Sequence, residues 1–193
     1  DWTYKRDIHV REWCRRNSIK FTEYPNNGVV RGLKNRDSWA KIRNQQVYSQ
    51  IIPEPEKLKP VPIKCKIKIP ERNDSLFGSQ FGDKIQPGGR GEALSLLESF
   101  KNSRGKDYLF NISSPAKSEV SCSRLSAHLA WGTISVKELL SWLPKPSSRI
   151  STYQTALNSR NLKAFKSRIA WRCHFMQKLE DKPEIEFNCM HKM

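Results

Sequence analysis

Acid is scarce in this sequence: 19 aspartates and glutamates face 35 lysines and arginines, for a net charge of +16 and a pI near 9.9. That balance favours polyanion partners, whose counterions are released when phosphates are neutralised. Long apolar runs are also missing. No stretch approaches the roughly eighteen apolar residues of a membrane-spanning helix, so no membrane association is expected. The five cysteines (Cys14, Cys65, Cys122, Cys173, Cys189) are odd in number, widely spaced and form no CxxC pair. That pattern argues against a disulfide framework or a zinc site, and a reducing, intracellular compartment is predicted, cytoplasmic and nucleoid-associated in a bacterium. There is no signal peptide and no initiator methionine at Asp1-Trp2-Thr3-Tyr4-Lys5-Arg6. That start, with the abrupt end His191-Lys192-Met193, is expected of a piece of a longer protein.

What is present suffices for a folded core, because 37% of the residues are hydrophobic. The pattern predicts a helix over residues 7–17, with Ile8, Trp13 and Cys14 as apolar contacts. An alternating strand over Ile19-Lys20-Phe21-Thr22-Glu23-Tyr24 follows, ended by Pro25-Asn26-Asn27-Gly28. Helix plus strand is the unit of an α/β domain. Another helix is predicted over residues 36–50. Prolines then recur (Pro53, Pro55, Pro60, Pro62, Pro70), and residues 63–69 alternate apolar residues with lysine, as a guarded edge strand or extended linker would. Beyond Gly88-Gly89-Arg90-Gly91, which is half a dinucleotide-binding glycine loop with no strand before it, the chain turns helical. Leu94, Leu97 and Phe100 share a helical face, and Ser135-Val136-Lys137-Glu138 is a capping box for a helix that Pro144 stops. Leu162, Phe165, Ile169, Cys173 and Met176 stripe a long helix over residues 161–179.

Chemistry concentrates at Cys122-Ser123-Arg124-Leu125-Ser126, just before an apolar helical run. A helix start offers unpaired N–H groups and a positive dipole end, serine hydroxyls add donors, and arginine adds a planar fork. Such a segment suits a phosphate; it also suits plain helix capping. Neighbouring Cys173 and His174 point about 100° apart on a helix, so they do not form a nucleophile pair. His128, one turn into the signature helix, reads as a surface residue or pocket neighbour.

The order of motifs is more specific. Gly91-Glu92-Ala93-Leu94, Tyr108, the Cys122–Ser126 block, Ala130-Trp131-Gly132-Thr133-Ile134-Ser135-Val136 and Arg168-Ile169-Ala170-Trp171-Arg172 follow one another. That succession resembles the photolyase/cryptochrome family. Upstream, Trp2, Lys5-Arg6-Asp7 and the stretch from Pro25 through Asn27 to Arg31 look like the end of the family's antenna-binding α/β domain. The resemblance implies three segments: the end of an α/β, Rossmann-like antenna domain over residues 1–50, a Pro-rich linker over 51–86, and the first half of an all-α FAD-binding domain over 87–193. It implies that Tyr108, Cys122, Ser123, Arg124, Leu125 and Ser126 hold FAD, with a second, antenna chromophore in the full-length protein. Phe165, Arg168, Trp171 and Arg172 would face DNA containing pyrimidine photoproducts, bound by a monomer. The implied activity is light-driven repair of pyrimidine dimers by electron transfer from FAD, a carbon–carbon lyase reaction. The remaining flavin contacts are implied to lie beyond Met193, leaving this piece inactive alone. Departures matter too: Arg168 stands where dimer-repairing members carry a hydrogen-bonding glutamate, Phe165 where they carry tryptophan, and Cys173 where glutamate often follows. These departures keep open a cryptochrome-like light receptor or a non-repairing, nucleic-acid-binding flavoprotein.

Overall fold

The computed structural model describes residues 2–26, 28–59, 85–144 and 156–190. Eight α-helices occur among them: α1 (Trp2–Arg16), α2 (Trp39–Val47), α3 (Arg90–Asn102), α4 (Tyr108–Asn111), α5 (Ser118–Ser121), α6 (Ser126–Trp131), α7 (Val136–Trp142) and α8 (Ser159–Asp181). Short 3₁₀ turns precede α4 and α5 and follow α8. No β-strand is present among the described residues.

That overturns the α/β reading of the N-terminal segment. Ile19 to Tyr24 alternates, but it runs as exposed coil, with Ile19, Phe21 and Tyr24 all open to solvent. A strand stabilises itself only through a ladder with a neighbour, and no neighbour exists among the described residues. Helix α1 instead ends in a tight reversal: Ser18 adopts φ 57°, and the Ile19 N–H returns to the Cys14 carbonyl at 2.8 Å. The lysine-alternating stretch 63–69 and most of the expected linker lie outside the described residues.

The core forms where apolar periodicity is strongest. Ala93, Leu97 and Phe100 are the buried face of α3; Val136, Leu139 and Leu140 that of α7; Phe165, Ile169 and Cys173 that of α8. Burying each large aliphatic or aromatic chain contributes about 1.5–3 kcal/mol, which outweighs the modest propensities of these short helices. Three rings lock the centre: Phe100 lies 4.8 Å from Phe165 and 5.2 Å from Tyr108, whose own ring meets Phe165 edge-on at 5.7 Å.

Local signals set the helix ends. Ser135 Oγ accepts the Glu138 N–H at 3.1 Å, the first half of the capping box. Glu138 does not complete the box. Its carboxylate takes both arms of the Arg90 guanidinium, at 2.9 and 2.5 Å, and so fastens α7 to the start of α3. Asn158 caps α8 by accepting the Asn161 N–H at 2.9 Å. The buried stripe of α8 follows strict steps of four, Asn161, Phe165, Ile169, Cys173 and Gln177, so Leu162 and Met176 are only partly covered. Gln177 earns its burial by pairing with both backbone groups of Val30, at 2.7 and 2.9 Å. Further links tie the N-terminal segment to the rest: Val47 joins the core cluster and α2 packs on α7. No helix among the described residues is long and apolar enough to cross a membrane.

Candidate anion and cofactor pocket

The Cys122–Ser126 segment is mostly loop. Helix α5 ends at Ser121 and the six-residue α6 begins only at Ser126, with Leu125 in the capping position and no side-chain cap. A helix so short has little aligned dipole, so the phosphate-holding helix start expected here is replaced by a shaped loop. Arg124 carries the unusual backbone. Its φ is +61°, a left-handed conformation that costs a non-glycine residue about 1–2 kcal/mol. Leu125 beside it is fully buried in the core and anchors the loop. Ser123 Oγ accepts the Leu125 N–H at 3.4 Å.

Two residues with no motif of their own hold this loop. Arg104, from the turn after α3, donates to the carbonyls of Leu96 at 2.8 Å, of Ser123 and Glu119 at 3.4 Å, and of Cys122 at close range. Its Nε donates to Ser99 Oγ at 3.0 Å. None of these acceptors is a carboxylate, so the cationic charge stands uncompensated behind the loop. Burial, and then the charge of Arg124, push the Arg104 pKa down. Gln86 contributes from the other side, its Nε2 donating to the Arg124 carbonyl at 2.8 Å.

A cavity of about 650 Å³ opens on this loop, within the size range of ordinary ligand sites. Tyr108, Cys122, Ser123, Arg124, Ser126 and Arg168 line it. Five of the six residues expected to hold FAD are therefore brought together; the sixth, Leu125, faces the core instead. Among the described residues no aspartate or glutamate lines the cavity. Tyr108 forms a buried part of its wall. Burial, then the nearby Cys122 thiol, push the phenol pKa up to about 12, against a smaller opposing pull from Arg168. The hydroxyl is therefore a neutral donor at physiological pH. Asn161 fixes the wall by accepting the Leu109 N–H at 3.1 Å and donating to the Lys106 carbonyl at 2.5 Å.

The four residues expected at the lesion are dispersed. Phe165 belongs to the core aromatic cluster, and Arg168 lines the cavity just described. Arg172 donates to the Leu129 carbonyl at 3.1 Å, at the end of α6, with its pKa pushed down chiefly by burial. Trp171 is half-exposed, its ring tilted against Phe175 at 5.6 Å and His174 at 6.1 Å. His174 meets Arg36 through Nδ1 at 3.1 Å; burial, then Arg36 and Lys178, push its pKa down. Cys173 is fully buried away from it. His128 is buried rather than at the surface, with Nδ1 on Thr133 Oγ1 at 3.0 Å.

A second cavity of similar volume, between α1 and the end of α8, has the opposite character. Asp7, Glu23, Glu180 and Glu186 line it, and Arg31, the one cation among its described lining residues, is paired with Glu23 at 2.5 Å and Glu180 at 3.5 Å. It is unsuited to phosphate.

Sequence reasoning had no way to find Arg104 or Gln86, because both act on backbone carbonyls far along the chain. The glycine after Arg104 is the nearest hint: a Cβ on Gly105 would lie 2.6 Å from the Phe100 carbonyl oxygen, so the turn that presents Arg104 requires its absence. Comparison of the chain with protein-family models, with curated proteins and with solved structures finds no match.

Proposed function

We propose that the cavity at Ser123 and Arg124 binds FAD, and that the chain acts as a photolyase/cryptochrome-like flavoprotein that associates with DNA. One observation carries this reading. Tyr108 and the Cys122–Ser126 loop, paired on a resemblance of motifs alone, line one cavity of dinucleotide-compatible size. The lining also fits the group chemically: hydroxyls at Ser118, Ser123 and Ser126 and guanidinium forks suit a pyrophosphate, while Ile112 and Ala127 add apolar wall for a ring system.

Each residue then has a task. Arg124 presents its guanidinium to the phosphates, and the strain in its backbone is the local cost of that placement. Arg104 and Gln86 keep the loop in that shape, and Tyr108 offers a neutral hydroxyl at its wall. When bound, FAD supplies light absorption and electron transfer, and the chain supplies binding, orientation and charge. The DNA partner is supported by the net charge of +16 and by the exposed Trp171–Phe175 face, since bases stack on such rings.

Light-driven repair of pyrimidine dimers is the reaction the resemblance carries. A specific observation favours the second reading, a light receptor or non-repairing flavoprotein. Of the four residues expected at a lesion, only Trp171 sits on an exposed aromatic face, and the residue replacing the lesion-binding glutamate is a cation. The test is reconstitution of the chain with FAD, followed by blue-light irradiation with an ultraviolet-damaged oligonucleotide. Bound flavin with restored pyrimidines supports repair; bound flavin with unaltered lesions supports the second reading; no flavin uptake rejects both.

A further inference from the structure

Arg168 is the residue that neither the fold nor the expected lesion site explains. It is exposed on α8, next in sequence to the buried Ile169 but off the buried stripe, and makes no hydrogen bond or ion pair with any described residue. Yet it lines the same cavity as Arg124, which arrives from the α5–α6 loop. Among the described residues the walls hold no carboxylate to neutralise either guanidinium, and Arg104 adds a third positive charge behind the loop. Its influence on the Tyr108 phenol agrees with a guanidinium that faces inward. Like charges brought together repel, and a diphosphate, which can set one anionic phosphate against each guanidinium, relieves that repulsion better than a single phosphate that reaches only one.

We propose that Arg168 is a ligand-contacting residue of this pocket, which with Arg124 makes it selective for nucleotides bearing a diphosphate over those bearing one phosphate or none. The inference rests on reading the cavity as a nucleotide pocket, but it does not require a flavin. It also moves Arg168 from the DNA-facing group to the cofactor wall. Because Arg168 pairs with none of the described residues, its replacement should leave the fold intact.

The test is a set of calorimetric titrations of the full chain with FAD, FMN, riboflavin, ADP, AMP and inorganic pyrophosphate, repeated for Arg168→Gln and Arg168→Lys. The wild-type chain should bind ADP about tenfold or more tightly than AMP. Arg168→Gln should weaken ADP and pyrophosphate by about that factor and leave AMP within about threefold. Arg168→Lys, which keeps the charge but not the fork, should fall between. Unchanged ADP and pyrophosphate affinity in Arg168→Gln overturns the proposal. So does a loss confined to binding of a duplex oligonucleotide, which would return Arg168 to the DNA. ADP and pyrophosphate binding that depends on Arg168, without any flavin binding, sustains the proposal while rejecting the FAD reading. Equal affinity for FAD and riboflavin, unmoved by Arg168→Gln, does the reverse. A chain that binds none of these ligands loses both.

Discussion

Gln86 Nε2 donates a 2.8 Å hydrogen bond to the carbonyl of Arg124, a residue held at φ +61°. The bond joins the segment before α3 to the most strained point of the Cys122–Ser126 loop and offsets part of what that backbone costs. An arginine in a conformation that glycine adopts freely is a poor choice for stability and a sensible one for ligand binding.

Replacement of Arg124 by glycine separates the two. Relief of the left-handed strain opposes the added freedom of the unfolded chain, so folding free energy should stay within about 1 kcal/mol of wild type. FAD affinity should fall about tenfold or more. Denaturant melts and flavin titration on the same preparation check the pair; a marked loss of stability with flavin affinity intact would contradict the assignment.

Arg104 should behave differently, because its contacts are internal. Arg104→Ala leaves the Leu96, Cys122 and Ser123 carbonyls without their donor, at a cost of about 2–4 kcal/mol, and FAD binding should weaken with it. Arg104→Lys reaches fewer carbonyls and should recover only part of the stability. Chemical denaturation measures both.

Gly105→Ala tests the turn that carries Arg104. The new methyl would meet the Phe100 carbonyl oxygen at 2.6 Å and Leu157 Cδ2 at 2.8 Å, so a loss of about 1–3 kcal/mol is expected. A thermal melt indistinguishable from wild type would place the turn elsewhere.

The Tyr108 phenol gives a pH signature. Its folded pKa, about 12, lies above the unfolded value near 10, so the protonated form is favoured by folding. The stability that follows is fully present below pH 10 and is lost as pH rises from 10 through 12. Tyr108→Phe cannot ionise there. Wild type should therefore lose stability relative to Tyr108→Phe across that window, as denaturant melts at stepped pH would record; parallel curves would mean the phenol is not buried.

What could be read in advance follows how local each signal is. The capping box at Ser135 and the stripe through Phe165, Ile169 and Cys173 depend on residues within one or two turns, and both helices form where the pattern places them. The alternation at Ile19–Tyr24 failed because a strand is a statement about a neighbour, and those residues have none among the described residues. The pocket was half legible. Tyr108 and the Cys122–Ser126 block stood out through the order of motifs, but the loop character of that block and the carbonyl contacts of Arg104 and Gln86 arise from tertiary geometry. Gln177 shows the same limit: a polar residue ending an apolar stripe makes sense only once it meets Val30.

Thiol footprinting tests the central claim most directly, because Cys122 lines the cavity while Cys189 is exposed elsewhere and Cys14 and Cys173 are buried. The chain is treated with an alkylating reagent, with and without saturating FAD, and the rate of labelling is followed at each cysteine by peptide mass. FAD in this cavity should slow labelling of Cys122 about tenfold or more, the protection given when nine-tenths of the sites are filled, and leave Cys189 unaltered. Equal labelling of Cys122 in both conditions, with FAD present at saturation, would show that the cavity at Ser123 and Arg124 is not where flavin binds.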